Sequence, residues 1–211
     1  MMQWIKKISV LGLALFILSG GVGSAAPKKD DLQDILLYPR VGVLIFMDSG
    51  LRGDDKIQDQ LRTAVQQKMN KIKDITYLND TLMTAKFQEF SFRKNIQEGN
   101  DLFPYGQVTQ AQLAEFAKEN RLSSLVILEG RLKKIDEKTA EVKPGEEAKS
   151  QFTSQVELQL KVLSPERNVI RDERIFTGES KSDIAIKSYW AGMKKAIGQF
   201  KSDWKPKADD L

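Results

Sequence analysis

The chain of 211 residues contains no cysteine and no histidine. Without cysteine there is no thiol nucleophile, no disulfide and no residue to carry a lipid at a mature amino terminus, so an ordinary bacterial lipoprotein is excluded. Without histidine the commonest general base is missing, and with both residue types absent the usual zinc sites go too. Long apolar runs are scarce as well. The clearest, residues 8–18, falls well short of the roughly 20 residues that a membrane-spanning helix needs, and no later segment comes near that length.

That short run has a context. Lys6 and Lys7 precede it and small residues follow from 19 to 26, which is the order of a secretory signal. Gly23 and Ala25 satisfy the small-x-small pattern, so cleavage is expected after Ala25; cleavage after Ala26 would leave Pro27 in a disfavoured position. An uncleaved anchor is the competing reading. The expected organisation is a signal peptide over 1–25, a charged flexible lead-in over 26–38, one domain over 39–204 and a polar, disordered tail over 205–211. The mature protein is expected outside the cytoplasm, in the periplasm or cell envelope, with no stable membrane insertion.

Charge of one sign is also lacking. The formal net charge is +4, and loss of Lys6 and Lys7 leaves 31 Lys and Arg against 29 Asp and Glu. Both signs are interspersed, with no basic stripe of the kind that reads nucleic acid. No nucleic-acid partner is expected.

What is present is patterned. The continuous apolar run Arg40–Met47 predicts a central strand buried on both faces. Ile57, Leu61, Val65, Met69 and Ile72 recur at helical spacing and predict a helix over 55–72, followed by a short strand over 75–78. Residues 81–103 predict a short helix and then a loop. Thr109 with Gln112 forms a capping box that opens a further helix, ending near Asn120. An apolar strand follows over 125–135, and the charged stretch 137–150 reads as a mobile loop. Strict alternation over 152–163 sends Val156, Leu158, Leu160 and Val162 to one face and Glu157, Gln159 and Lys161 to the other. A turn at 164–168 returns the chain as a strand over 169–177, and Ile186, Tyr189, Trp190, Met193, Ala196, Ile197, Phe200 and Trp204 mark the stripe of a last helix. The expected fold is α/β, a mixed sheet of about five strands with amphipathic helices packed on it.

Candidate functional residues are few. Asp48, Asp54, Asp55 and Asp59 gather where the first strand meets the first helix, a place where α/β sheets bind ligands and where carboxylates suit a hard cation. The alternative is that Asp54 or Asp55 caps the helix and the others face water. Gly50 and Gly53 match neither dinucleotide nor Walker patterns. Phe103 and Tyr105 in a loop, and Trp204 at the end of the last helix, are candidate anchors for a protein partner, against burial in the core. No catalytic residue, cofactor or metal is assigned.

The run RVGVLIFMD from Arg40, the segment QLAEFAKENRLSSLVILEGRLKKID from Gln112, the paired strands VELQLKVLSPERNVIRDERIFTGES from Val156 and the closing helix together resemble one family. It is the periplasmic α/β domain of the curli secretion channel protein CsgG, of lipoprotein activators of penicillin-binding proteins and of the amino-terminal domain of TolB. Gly130 stands where that pattern has a glycine, whereas residues 120–124 replace its Gly-Ala-Asp-like turn. The missing cysteine, the absence of a propeller and the charged face of the hairpin argue against carrying over lipid anchoring or pore formation. The resemblance implies an envelope protein, non-enzymatic, that works by contact with other envelope proteins; the alternative is an extracytoplasmic protein binding a small molecule or cation through the Asp48 to Asp59 loop.

Overall fold

In the computed structural model, the apolar run Arg40–Met47 forms β1, flanked on both sides by parallel neighbours. The structure describes residues 38–48, 50, 55–96, 108–139 and 150–211. The signal-peptide segment and nearly all of the lead-in therefore lie outside the described residues. Helix α1 (Asp55–Met69) leads from β1 to the short β2 (Thr76–Leu78). Helices α2 (Asp80–Arg93) and α3 (Gln110–Glu119) precede β3 (Ser124–Thr139). Two long antiparallel strands follow, β4 (Ser150–Ser164) and β5 (Val169–Ser182), before the closing helix α4 (Ala185–Asp203). The sheet order is β2-β1-β3-β4-β5, with the first three strands parallel and the last two antiparallel. This is the mixed five-stranded α/β sheet that the apolar patterns call for.

The two faces are filled differently. On one face, α1 and α4 cover Val41, Val43, Val126, Leu128 and the whole alternating set Val156, Leu158, Leu160 and Val162. On the other, α2 and α3 cover β1, the first half of β3 and the end of β4, where Leu44, Phe46, Leu125, Ile127 and Leu163 cluster with Phe87, Phe90 and Phe116. Phe87 and Phe116 pack edge to face at 5.0 Å, the arrangement aromatic quadrupoles prefer. The remainder of that face is polar. Glu157 there is nonetheless nearly buried, because Lys133 (2.7 Å) and Arg131 (3.1 Å) close over its carboxylate. Lys133 foremost, then Arg131, holds it below the usual carboxylate range against the opposing effect of burial.

Several boundaries differ from the sequence expectation. Helix α2 is a full 14 residues, begun by Asn79, whose side chain accepts the N–H of Leu82 at 3.0 Å. The capping box of α3 is present as expected, Thr109 accepting from Gln112 N and Gln112 from Thr109 N. Strands β3 and β5 run longer than expected, to Thr139 and Ser182, and β4 begins at Ser150, so strand occupies both ends of the stretch read as a mobile loop. The reason is pairing: Lys134 to Thr139 face Gln155 to Ser150, and backbone bonds sustain a ribbon whose side chains are mostly wet.

The tail is ordered rather than frayed. Ala208–Asp210 makes one turn of 3-10 helix, and Leu211 is buried against the core, its carbonyl accepting the hydroxyl of buried Ser124. A single apolar side chain in a polar segment is enough to dock it.

Close packing sets how α4 sits on the sheet. Gly178 of β5 and Gly192 of α4 meet backbone to backbone: a Cβ on Gly178 would fall 2.0 Å from the Gly192 carbonyl oxygen. Across the helix, Lys68 of α1 donates to the carbonyls of Lys201 and Trp204, each at 2.5 Å, tying α1 to the last turn of α4. Burial pushes the Lys68 ammonium below its ordinary pKa, with further lowering from Lys71 and Lys205.

Candidate functional site

Strand β1 stops at Met47, but its line is continued by a side chain. Asp48 donates its N–H to the carbonyl of Gly130 at 3.1 Å, and its carboxylate accepts the N–H of Leu132 at 2.8 Å, so the carboxylate stands in for the next strand residue. The same oxygen accepts the hydroxyl of Tyr189 from α4. Asp48 is 2% exposed. Burial, then the hydrogen bond and charge of Asp48, push the Tyr189 phenol far above its ordinary pKa, so it is a neutral donor. Beside it, Trp190 donates its indole N–H to the carbonyl of Gly50 at 3.1 Å.

This junction lies at the carboxyl end of β1, where the sheet order reverses, with β2 on one side and β3 on the other. Such crevices are the usual ligand positions of open α/β sheets. Here the crevice is occupied by the Asp48–Tyr189–Leu132 linkage. Above it opens a groove of about 320 Å³ lined by Leu132, Ile135, Ala185, Ile186 and Tyr189, with Asp48 and Gly50 at the β1 end. Its rim is apolar and wet: Ile135 is 41% exposed and Ile186 37%. The chemistry on offer is that of an apolar surface held rigid by one buried carboxylate.

The residues singled out from sequence fare unequally. Asp48 does lie in the crevice, but as a buried structural acceptor. Asp59 is on the exposed side of α1, paired with Arg62 at 3.4 Å, while Arg62 also reaches Asp80 at 2.7 Å. Among the described residues no group of three or more acidic side chains is placed to hold a metal. Asp54, and the side chain of Asp55, lie outside the described residues, as do Phe103 and Tyr105. Trp204 is a correction: at 1% exposure it is part of the core, stacked on Phe200 at 5.2 Å, because it continues the apolar stripe of α4 by one more turn. It is therefore no surface anchor.

Sequence reasoning missed Leu132, Ile135, Ile186 and Tyr189 as one locus. Tyr189 and Ile186 were legible only as members of the helix stripe, and the position of Tyr189 on that stripe, with a hydroxyl that needs a buried partner, was the available signal.

The fold and this junction define a small mixed-sheet α/β protein with an apolar rim at the carboxyl end of its central strand. No protein-family model matches the chain, and no curated protein sequence matches it. Among solved structures it is similar to a neuraminyllactose-binding hemagglutinin homolog from Helicobacter pylori, with TM-score 0.39 and 12% identity over 87% of this chain and 88% of that one. It is similar also to lipoprotein GNA1162 from Neisseria meningitidis, with TM-score 0.38 and 8% identity over 70% of this chain and 86% of that one. A third is the protein CT253 from Chlamydia trachomatis, with TM-score 0.31 and 10% identity over 68% and 73%. These are loose likenesses of architecture. No helix among the described residues is long and apolar enough to cross a membrane.

Proposed function

We propose that this protein is exported to the cell envelope and works there by contact with another envelope protein, without catalysing a reaction. The observation that carries this reading is the apolar rim: two isoleucines, Ile135 and Ile186, each more than a third exposed, line a groove at whose base a buried carboxylate accepts two hydrogen bonds. Single exposed apolar residues are ordinary, but a rim of them around a groove is how contact surfaces are built. The signal-like amino terminus and the resemblance to periplasmic contact domains favour the envelope as the setting. Against the cation-binding alternative, Asp48 already accepts two hydrogen bonds and Asp59 faces Arg62 on the exposed side of α1.

The test is a photo-crosslinking pull-down from fractionated cells, with the crosslinker at Ile186 or, as control, at Glu166 in the β4–β5 turn, and with the mature amino terminus sequenced from the same sample. Recovery from the envelope beginning near Ala26, with one or a few envelope proteins captured at 186 and none at 166, is the expected result. Cytoplasmic, uncleaved protein would overturn the reading. Cleaved protein without a partner, together with a melting temperature that rises with calcium or a small ligand, would favour the alternative.

A further inference from the structure

We infer that the second half of β3 is a strand-pairing edge at which two copies of this chain join as a two-fold dimer, centred on Ile135. The sheet has three places where a strand could be added, and the molecule treats them differently. Strand β2 is only three residues long. The outer edge of β5 is engaged in its second half: Thr177 N donates to Gln199 Oε1 at 3.1 Å and Lys195 Nζ donates to Glu179 O at 2.6 Å, while nearer its start the pairing with β4 shifts register at Val162/Leu163. Side chains of α4 thus occupy two outward groups of β5, at Thr177 and Glu179, and cover that part of its edge. Strand β3 has no such cover among the described residues. Its pairing with β1 ends at Met47 and Gly130, while its pairing with β4 continues to Thr139.

The orientation of the free groups follows from the register. Gly130 and Leu132 turn their backbone groups toward the β1 side, where both meet Asp48. A register shift between Leu132 and Lys134 then resets the alternation, and Ile135 pairs with Ser154, which lies under α4 against Ser188. Ile135 is therefore on the same face as Leu132, and on a given strand side-chain face and hydrogen-bond direction are coupled. Its N–H and C=O point to the open edge.

Charge chooses the occupant and the register. In an antiparallel pair centred on Ile135, each Ile135 exchanges two backbone hydrogen bonds with its counterpart, and Lys134 of each copy stands opposite Asp136 of the second copy. Centring on Asp136 sets two carboxylates face to face and Lys134 against Lys138; centring on Glu137 opposes two glutamates. Only the Ile135 register combines an apolar centre with opposite charges directly across, the arrangement that stabilises cross-strand pairs. Within one chain Lys134 already reaches Asp136 at 2.8 Å, so both side chains lie on one face and are positioned to exchange partners across the axis. The apolar grooves of the two copies would lie side by side on the opposite face, covering Ile135 in an isologous contact.

The inference uses part of the surface proposed above for a different partner, so it is tested on the purified full chain alone. Light scattering across concentration should show a dimer. Because the chain has no cysteine, Ile135→Cys should give a disulfide-linked dimer under mild oxidation, while Val169→Cys at the start of β5 should not. Lys134→Asp and Asp136→Lys, each alone, should weaken dimerisation by about tenfold or more, since each replaces two attractive pairs by two repulsive ones. Mixed together, the two variants should dimerise again, which a folding defect would not permit. A monomer at all concentrations, equal crosslinking at 135 and 169, or a mixture that stays monomeric would each overturn the inference while leaving the contact with an envelope protein to its own pull-down.

Discussion

Replacing Gly178 by alanine should release α4 from the sheet. Gly178 lies in ordinary strand backbone, so what it supplies is space: the added Cβ would meet the Gly192 carbonyl oxygen at 2.0 Å, its carbon at 2.9 Å and the Ala196 nitrogen at 3.0 Å. All three are backbone atoms of α4, which cannot swing aside as a side chain would. Restoring ordinary contact requires a displacement of about 1 Å or more, and close-packed interiors do not absorb that without losing contacts. The face that lifts carries Tyr189, Met193, Ala196, Ile197 and Phe200, all buried. Overpacking costs about 1–3 kcal/mol, and a clash confined to backbone belongs at the upper end, about 3 kcal/mol. For a domain of this size that lowers Tm by about 6–12 °C. Urea unfolding followed by circular dichroism should show a lower midpoint at unchanged slope. Gly198→Ala is the control, because it lies exposed on the same helix with nothing within 4 Å of its added Cβ. Helix propensity alone should make that variant more stable, by up to about 1 kcal/mol. If Gly178→Ala unfolded within about 0.5 kcal/mol of the parent, the ordinary scale of a neutral surface change, the close approach of strand and helix would be refuted.

Asp48→Ala strands the buried hydroxyl of Tyr189 and the N–H of Leu132, and should cost about 3 kcal/mol by urea titration, with Asp48→Asn costing less because an amide oxygen still accepts. Tyr189 ionises near 10 in the unfolded chain but resists in the fold, so its contribution is complete below that pH and fades above it; alkaline unfolding from about pH 10 upward should be less steep in Tyr189→Phe. Glu157 has the opposite sign: its depressed folded pKa gives stability that is present above 4.5 and lost as pH falls through the folded value. Glu157→Gln should cost about 1 kcal/mol at neutral pH and flatten the acid limb of the stability profile, because Arg131 and Lys133 are exposed enough to rehydrate. Trp204→Ala should cost about 3–5 kcal/mol by the same titration, as a core aromatic does.

The elements legible in the sequence were those whose burial writes a period into it. Strand β1 is covered on both faces and reads as an unbroken apolar run; β4 is covered on one face and alternates; α4 has one apolar stripe, which extends to Trp204. The far halves of β3 and β5 were not legible, because Lys133 to Thr139 are stabilised by backbone pairing while their side chains meet water, leaving no apolar period. Helix α2 was blurred by Phe92, which is 89% exposed and breaks the spacing of Phe87 and Phe90. The site was half legible. Asp48 stood out as a carboxylate after a buried strand, but its partners, Leu132 and Tyr189, are 84 and 141 positions away, and nothing local announces a contact across such a separation.

Gln199 and Lys195 have a consequence for how far any assembly could grow. A sheet that accepts strands at both sides can add copies without limit and becomes a fibre. Two side chains of the last helix obstruct the β5 side of this one at Thr177 and Glu179, so among the described residues its two sides are not equally open to a further strand. Two copies joined through β3 would each cover the other's uncovered run, which favours pairs over open-ended growth.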